Sequence, residues 1–308
     1  MRLTVILCTH NPTAGFLDRT LDALKAQTFP CSEWEFIIVD NVSDKCVADR
    51  WDLSWHSNAR HVKEEELGLT PARLRGIKEA KGELLLFVDD DNVLNPDYLE
   101  NAVSIAEEWV MLGAWGGSID PEYELPPPEW ALPYVSMLAL RPVKRVIWSN
   151  DPTHLDAMPW GAGMCVRRAV ALEYHRAVID DPVRKALGRT GISLGGGEDL
   201  DLVLTCPSLG YGFGIFPSLR VLHLIPKGRL EEDYLVRILE GSTSTLLILN
   251  ASRGLGSPPE PRSTVQRVAD ALRLCQMGRF ERLMWFARQR AYLRAREICL
   301  KHGLPRES

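Results

Sequence analysis

Leu84-Leu85-Leu86-Phe87-Val88-Asp89-Asp90-Asp91-Asn92 is an apolar run that ends in three consecutive carboxylates. A short continuous apolar run is a strand buried on both faces, the kind found inside parallel sheets. In an open α/β sheet, ligands bind in the crevice beyond the carboxyl ends of the strands. The carboxylates of Asp89 and Asp91, one residue apart at such an edge, repel each other unless a cation lies between them. Carboxylate oxygens suit hard divalent ions such as Mg²⁺ and Mn²⁺, which in turn suit phosphate oxygens. This stretch therefore predicts a parallel sheet with a metal-diphosphate site at its edge.

The flanking sequence has the same alternation. Residues 3–8 read as a first buried strand with Thr9-His10-Asn11-Pro12 as its exit, and Glu35–Val39 as a second strand ending at Asp40. Leu17, Leu21 and Leu24 fall at helical spacing, Leu69–Ala80 reads as a helix, and another follows Pro96 through Leu99, Val103 and Ala106. Alternating strands and helices predict an α/β fold, a mostly parallel sheet flanked by helices. Beyond it, Leu112–Ile119 reads as a strand and the Pro-rich 121–133 as an exposed loop. Trp160–Val166 reads as a strand with a glycine bend, Glu198 as a helix start after Gly195-Gly196-Gly197, and Phe213–Leu224 as a strand pair. A long helix is expected over 231–249 and a Pro-rich linker at 257–261. Amphipathic helices follow on Val265, Val268 and Leu272, then Phe280, Leu283, Phe286 and Ala287. The implied units are a catalytic body, 1–256, with a nucleotide-binding half (1–119) and an acceptor half (120–256), and a basic helical extension, 257–308.

The chain has 308 residues, 45% of them hydrophobic and 25% charged, as in ordinary globular proteins. Its net charge of −5 gives no support for nucleic-acid binding. That figure conceals an asymmetry: residues 262–308 carry 11 Lys+Arg against 4 Asp+Glu, leaving an acidic body. The basic helices have two readings, lying on an anionic membrane or packing on the acidic body, and packing is favoured. The 7 cysteines form no C-x-x-C pair, so neither a zinc site nor a disulfide framework is indicated. A reducing cytosol is the expected home, at most peripheral at the inner membrane face. A strand begins almost at the first residue, so no signal peptide is expected, and no apolar stretch reaches the ~20 residues of a membrane span.

Polar residues cluster at the strand exits: Thr9 and Asn11, then Asp40-Asn41-Val42-Ser43, Asp89–Asn92 and His223, with Ala72-Arg73-Leu74-Arg75-Gly76 and Glu198-Asp199 between them. Their order and spacing resemble family 2 glycosyltransferases of GT-A fold over about residues 1–225. The family pattern runs T-x-N, D-N-x-S, A-R-x-x-G, D-x-D, E-D, His. The resemblance implies that Thr9, Asn11 and Asp40 meet the base and ribose of a sugar nucleotide, and that Arg73 reaches the base or phosphates. Asp89 would lie near the ribose and the metal. Asp90, at the variable middle position, would join the nucleotide-sugar contacts as a third carboxylate competing for the ion. Asp89, Asp91 and His223 would ligate Mn²⁺ or Mg²⁺. Trp160 and Gly161 would border the donor sugar. Asp199 would be the base that deprotonates an acceptor hydroxyl, with Glu198 next in line and Asp201 facing away. The sequence departs from the pattern at Leu74, where Asn is common, and at Asn92, which replaces a frequent fourth Asp. Tyr123, Trp130 and Tyr134 are candidates for an acceptor platform or for a Pro-aromatic clasp.

The expected activity is inverting, metal-dependent transfer from a nucleoside-diphosphate sugar, UDP by family habit, to a saccharide or lipid-linked saccharide. A sugar-1-phosphate nucleotidyltransferase is the rival enzyme, but no glycine-rich basic loop follows the first strand. No G-x-G-x-x-G follows it either, which disfavours a dinucleotide enzyme. A non-catalytic nucleotide-sugar-binding scaffold would have little reason to keep carboxylates at 89, 91 and 199.

Overall fold

The run that opens the chain becomes β1 (Leu3–Thr9), buried at every residue, and the second becomes β2 (Trp34–Asn41), with α1 (Ala14–Lys25) between them. In this computed structural model residues 1–191 and 193–304 are described, without the side chains of 267 and 268. The Val268 side chain, expected on an apolar helix face, and the last four residues of the expected extension thus lie outside the described residues. β3 (Ala59–Glu64) and α2 (Leu69–Glu79) lead to β4 (Leu84–Asp89), the strand that opened the reading. β5 (Asn92–Leu94), α3 (Tyr98–Glu108), β6 (Leu112–Tyr123), β7 (Ile147–Ser149) and β8 (Met164–Arg167) follow. Then come α4 (Arg168–Val178), α5 (Pro182–Lys185), α6 (Glu198–Val203) and β9 (Gly212–Ile225). The chain finishes with α7 (Glu232–Ser252), α8 (Thr264–Gln276) and α9 (Arg279–Lys301).

Among the described residues the strands form one sheet in the order β3-β2-β1-β4-β8-β6-β9-β5, with β7 also on β9. β3, β2, β1 and β4 are parallel, and β8 runs antiparallel between β4 and β6. β9 is parallel to β6, so β1, β2, β4 and β9 all deliver their carboxyl ends to one edge. Because side chains alternate along a strand, Val5, Leu7, Ile38 and Leu86 pack on one face with α1 and α3. Ile6, Ile37, Leu85 and Phe87 pack on the other with α2 and α4. Both faces are covered, which is why these strands read as unbroken apolar runs.

Three expectations need correction. The strand expected from Trp160 begins only at Met164, because Gly163 has φ 74 and turns the chain beforehand. A Cβ there would lie 2.4 Å from the Tyr98 hydroxyl, which donates to the Gly163 carbonyl at 2.6 Å. The strand pair expected at 213–224 is the single strand β9, whose register against β6 shifts after Phe216. Pro217, lacking an N–H, sits in that shift, where no ladder bond is lost. The exposed loop expected at 121–133 is partly ordered: β6 continues to Tyr123, and Glu129–Leu138 forms a 3₁₀ helix.

At the C-terminal end, α9 lies along α7 through Met284, Ala287, Ala291, Ala295 and Cys299, and Arg279 and Arg290 pair with Glu232 and Glu240 of α7. Leu283, Phe286 and Leu293 on α9 remain exposed. No helix among the described residues is long and apolar enough to cross a membrane.

Candidate active site

At the carboxyl edge of the sheet the strands open onto a cleft of about 530 Å³, within the ordinary range for small-molecule sites. Thr9 at the end of β1, Asp89 at the end of β4 with Asp90 and Asp91 just beyond it, and His223 near the end of β9 line it. Arg73 reaches it from α2, Trp160 and Gly161 from the turn before β8, and Glu198 and Asp199 from the start of α6. Thr9 and His223, 214 positions apart, thus share one cavity because the strand ends share one edge.

The turn after β4 is held by Asn92, whose Oδ1 accepts from the Asp89 N–H (3.1 Å) and whose Nδ2 donates to Asp91 Oδ1 (2.9 Å). β5 then pairs antiparallel with β9, in a register that sets Asn92 opposite His223. This brings His223 Nε2 to 3.4 Å from Asp91 Oδ2, with both side chains buried. Arg229 stands between them: Nη2 donates to Asp91 Oδ2 at 2.6 Å and Nη1 to His223 Nε2 at 2.8 Å. Burial opposes ionisation of Asp91, but the Arg229 guanidinium more than offsets it and holds the carboxyl below its usual range. Asp90 behaves in the opposite way, pushed up to about 7 by burial and by the charge of Asp91, while the Thr9 hydroxyl donates to its Oδ2. Among the described residues no group of three His, Cys, Asp or Glu side chains is placed to hold a metal ion. The carboxylates of Asp89 and Asp91 and the imidazole of His223, all on the cleft, are donor types that divalent ions accept.

Across the cleft the buried Arg73 pairs with Glu198 at 2.9 Å and with Asp89 at 3.4 Å. Burial pushes the Glu198 carboxyl up to about 7, with Arg73 working against that rise and Asp199 adding to it. Gly161 admits the guanidinium, since a Cβ there would lie 2.5 Å from Arg73 Nη2. Asp199 is half-buried and fixed by two backbone donors: Gly161 N–H at 2.8 Å on Oδ2 and Leu200 N–H at 2.7 Å on Oδ1. Each oxygen retains a further lone pair. Asp201 turns away, as expected, and is fully buried between Arg184 and Arg253. The Trp160 ring lies 5.1 Å from the Arg141 guanidinium at the rim.

Asn11 and Asp40 do not line the cleft. Asp40 accepts from the Ser43 and Val47 N–H groups, and Asn11 accepts from the Asp44 N–H, so both shape the loop after β2. Within that loop Val42 has φ 56, an uncommon conformation for a β-branched residue. Tyr123, Trp130 and Tyr134 also lie off the cleft; Trp130 and Tyr134 pack edge-on against Phe280 of α9, while Ser136, Met137 and Ala139 line the wall instead. Arg229 and Arg189 were missed in the sequence. Arg189 lies in a loop and Arg229 in the short 3₁₀ helix Lys227–Leu230, neither marked by periodicity, and only the fold brings them to the carboxylates.

The sequence profile described as Glycosyl transferase family 2 matches residues 4–167, just over half of the chain. Glycosyltransferase AglE of Haloferax volcanii is 30% identical over 105 residues, 33% of this chain and 34% of the relative. The glucosyl-dolichyl phosphate glucuronosyltransferase of the same organism is 25% identical over 133 residues, 42% of each. The matches therefore span well under half the length of these relatives. The crystal structure of Staphylococcus aureus TarS 1-349 superposes with a TM-score of 0.51 at 17% identity, covering 98% of this chain and 92% of that one. At that identity the likeness establishes the fold. With the profile running from β1 through β8 and the sheet matching a GT-A structure, the chain belongs to glycosyl transferase family 2.

Proposed function

We propose that this family member is an inverting, metal-dependent glycosyltransferase, moving a sugar from a nucleoside-diphosphate sugar to a hydroxyl of a saccharide or lipid-linked saccharide. The observation that carries this reading is a single cleft holding the Asp91–His223 pair on one wall and the backbone-fixed Asp199 on another. Asp91, His223 and Asp89 would hold the cation, which when bound supplies charge neutralisation at the departing diphosphate. Asp199 takes the proton from the acceptor hydroxyl as its oxygen attacks the anomeric carbon. The bond from that carbon to the diphosphate oxygen breaks on the opposite face, so the configuration inverts. Arg73, fixed by Glu198 and Asp89, presents a buried positive charge towards the phosphates, and Trp160 offers its ring to the sugar.

UDP is the first donor nucleotide to try, because a crystal structure of S. aureus TarS 1-349 holds UDP. The lipid-linked acceptor is suggested by the dolichyl phosphate in the name of the glucuronosyltransferase relative. Nucleoside diphosphate released from a panel of nucleotide sugars, with saccharide and polyprenyl-phosphate saccharide acceptors, tests the proposal. One donor should turn over, acceptor should speed it, and chelator should stop it. Turnover that chelator leaves intact would remove the metal from the scheme, and no turnover of any donor would remove the activity.

A further inference from the structure

His223 Nε2 has one lone pair, and in this structure it is occupied by the Arg229 N–H at 2.8 Å. The same nitrogen cannot also bind a metal. At Asp91 the other Arg229 nitrogen lies 2.6 Å from Oδ2, which puts the guanidinium charge beside the carboxylate as well. Arginine and metal therefore exclude each other at the imidazole nitrogen, and compete as positive charges at Asp91. We infer that Arg229 is a resident cation that holds the Asp91–His223 pair in the donor-free enzyme, and that the metal enters by displacing it.

This inference rests on the metal-dependent reading above and deepens it. A buried carboxylate without a counter-charge is costly, so the donor-free cleft needs a cation, and Arg229 supplies one covalently attached. Its turn is anchored independently of that contact. Leu230 is buried against Ile225, Leu235, Ala131 and Leu138, and the Lys227 N–H donates to Glu124 at 3.0 Å. Asp91 is the sole ion-pair partner of Arg229 among the described residues. The guanidinium can thus swing without unpacking the fold, and since it lines the cleft it can move onto a diphosphate there. Metal and diphosphate then favour each other: the metal frees the arginine, and the diphosphate gives it a new partner. Such coupling is reciprocal by linkage.

Mn²⁺ binding, measured by the electron paramagnetic resonance of the free ion, tests this on the whole chain with and without UDP. In the wild type, Mn²⁺ alone should bind weakly and UDP should tighten it at least ~10-fold, a typical coupling. Arg229→Gln should bind Mn²⁺ alone at least ~10-fold more tightly than wild type, with a smaller gain from UDP. Arg189→Gln, which removes another cleft charge but frees no ligand atom, should change Mn²⁺ affinity far less. Should Arg229→Gln fail to fold with Asp91 unpaired, Arg229→Lys keeps the charge but cannot bridge both ligands, and should still bind Mn²⁺ more tightly than wild type. Unchanged Mn²⁺ affinity in the folded Arg229 variants, or an equal gain in Arg189→Gln, would overturn the inference and leave the metal reading standing. Absence of Mn²⁺ binding in every protein, with and without UDP, would remove both.

Discussion

Asp199→Asn is expected to lower sugar transfer by ~10²–10⁴-fold, the usual contribution of a positioned general base, while nucleotide affinity stays near wild type. The carboxylate is fixed by Gly161 and Leu200 N–H groups on separate oxygens, so the amide variant keeps one of these contacts and loses the other. That lost bond costs about 1 kcal/mol of stability, readily measured by urea denaturation. The two effects separate the roles. A scaffolding carboxylate would show the stability loss with turnover intact, and such a result would take Asp199 out of the chemistry. Glu198 gives the contrast: it is spent on Arg73, so Glu198→Gln should act first on nucleotide affinity.

The second large effect is expected in folding. Asp201 is fully buried and accepts from Arg184 at 2.9 Å, on α5, and from Arg253 at 2.7 Å, at the end of α7. It ties α6, which carries Glu198 and Asp199, to two other helices. Asp201→Ala removes one negative charge facing two guanidiniums. Breaking a buried ion pair by deleting one partner costs ~3–5 kcal/mol, and the partial exposure of both arginines places this case near 3. Urea denaturation of the variant should show that loss; a change under ~1 kcal/mol would mean that water replaces the clamp at little cost.

The sheet was legible where burial is two-sided. β1, β2 and β4 are unbroken apolar runs because helices cover both faces, and such runs need no tertiary information to be recognised. β3 escaped because it is an edge strand, Ala-Arg-His-Val-Lys-Glu, with Val62 its one buried residue. α4 lay in a stretch with no motif to anchor the reading. β9 read as two strands because Pro217 interrupts its apolar pattern, while in the fold β6 spans that interruption with a shift of register. Within the cleft, Asp89, Asp91 and Asp199 were visible because strand ends and helix starts have sequence signatures. Arg229 was not, since its position follows from the pairing of β5 with β9 and from the turn after it, long-range facts that no local spacing encodes. Asp40 and Asn11 illustrate a different gap: both follow strand ends, but their side chains hydrogen-bond the backbone of the loop after β2 instead of facing the cleft.

Calorimetric titration with a panel of nucleoside diphosphates, in Mn²⁺ and in chelator, addresses the cation at Asp91 most directly. One nucleoside diphosphate should bind in Mn²⁺, and its affinity should collapse both in chelator and in Asp91→Ala. Equal affinity with and without the ion, retained in Asp91→Ala, would contradict a cation-held diphosphate at this sheet edge.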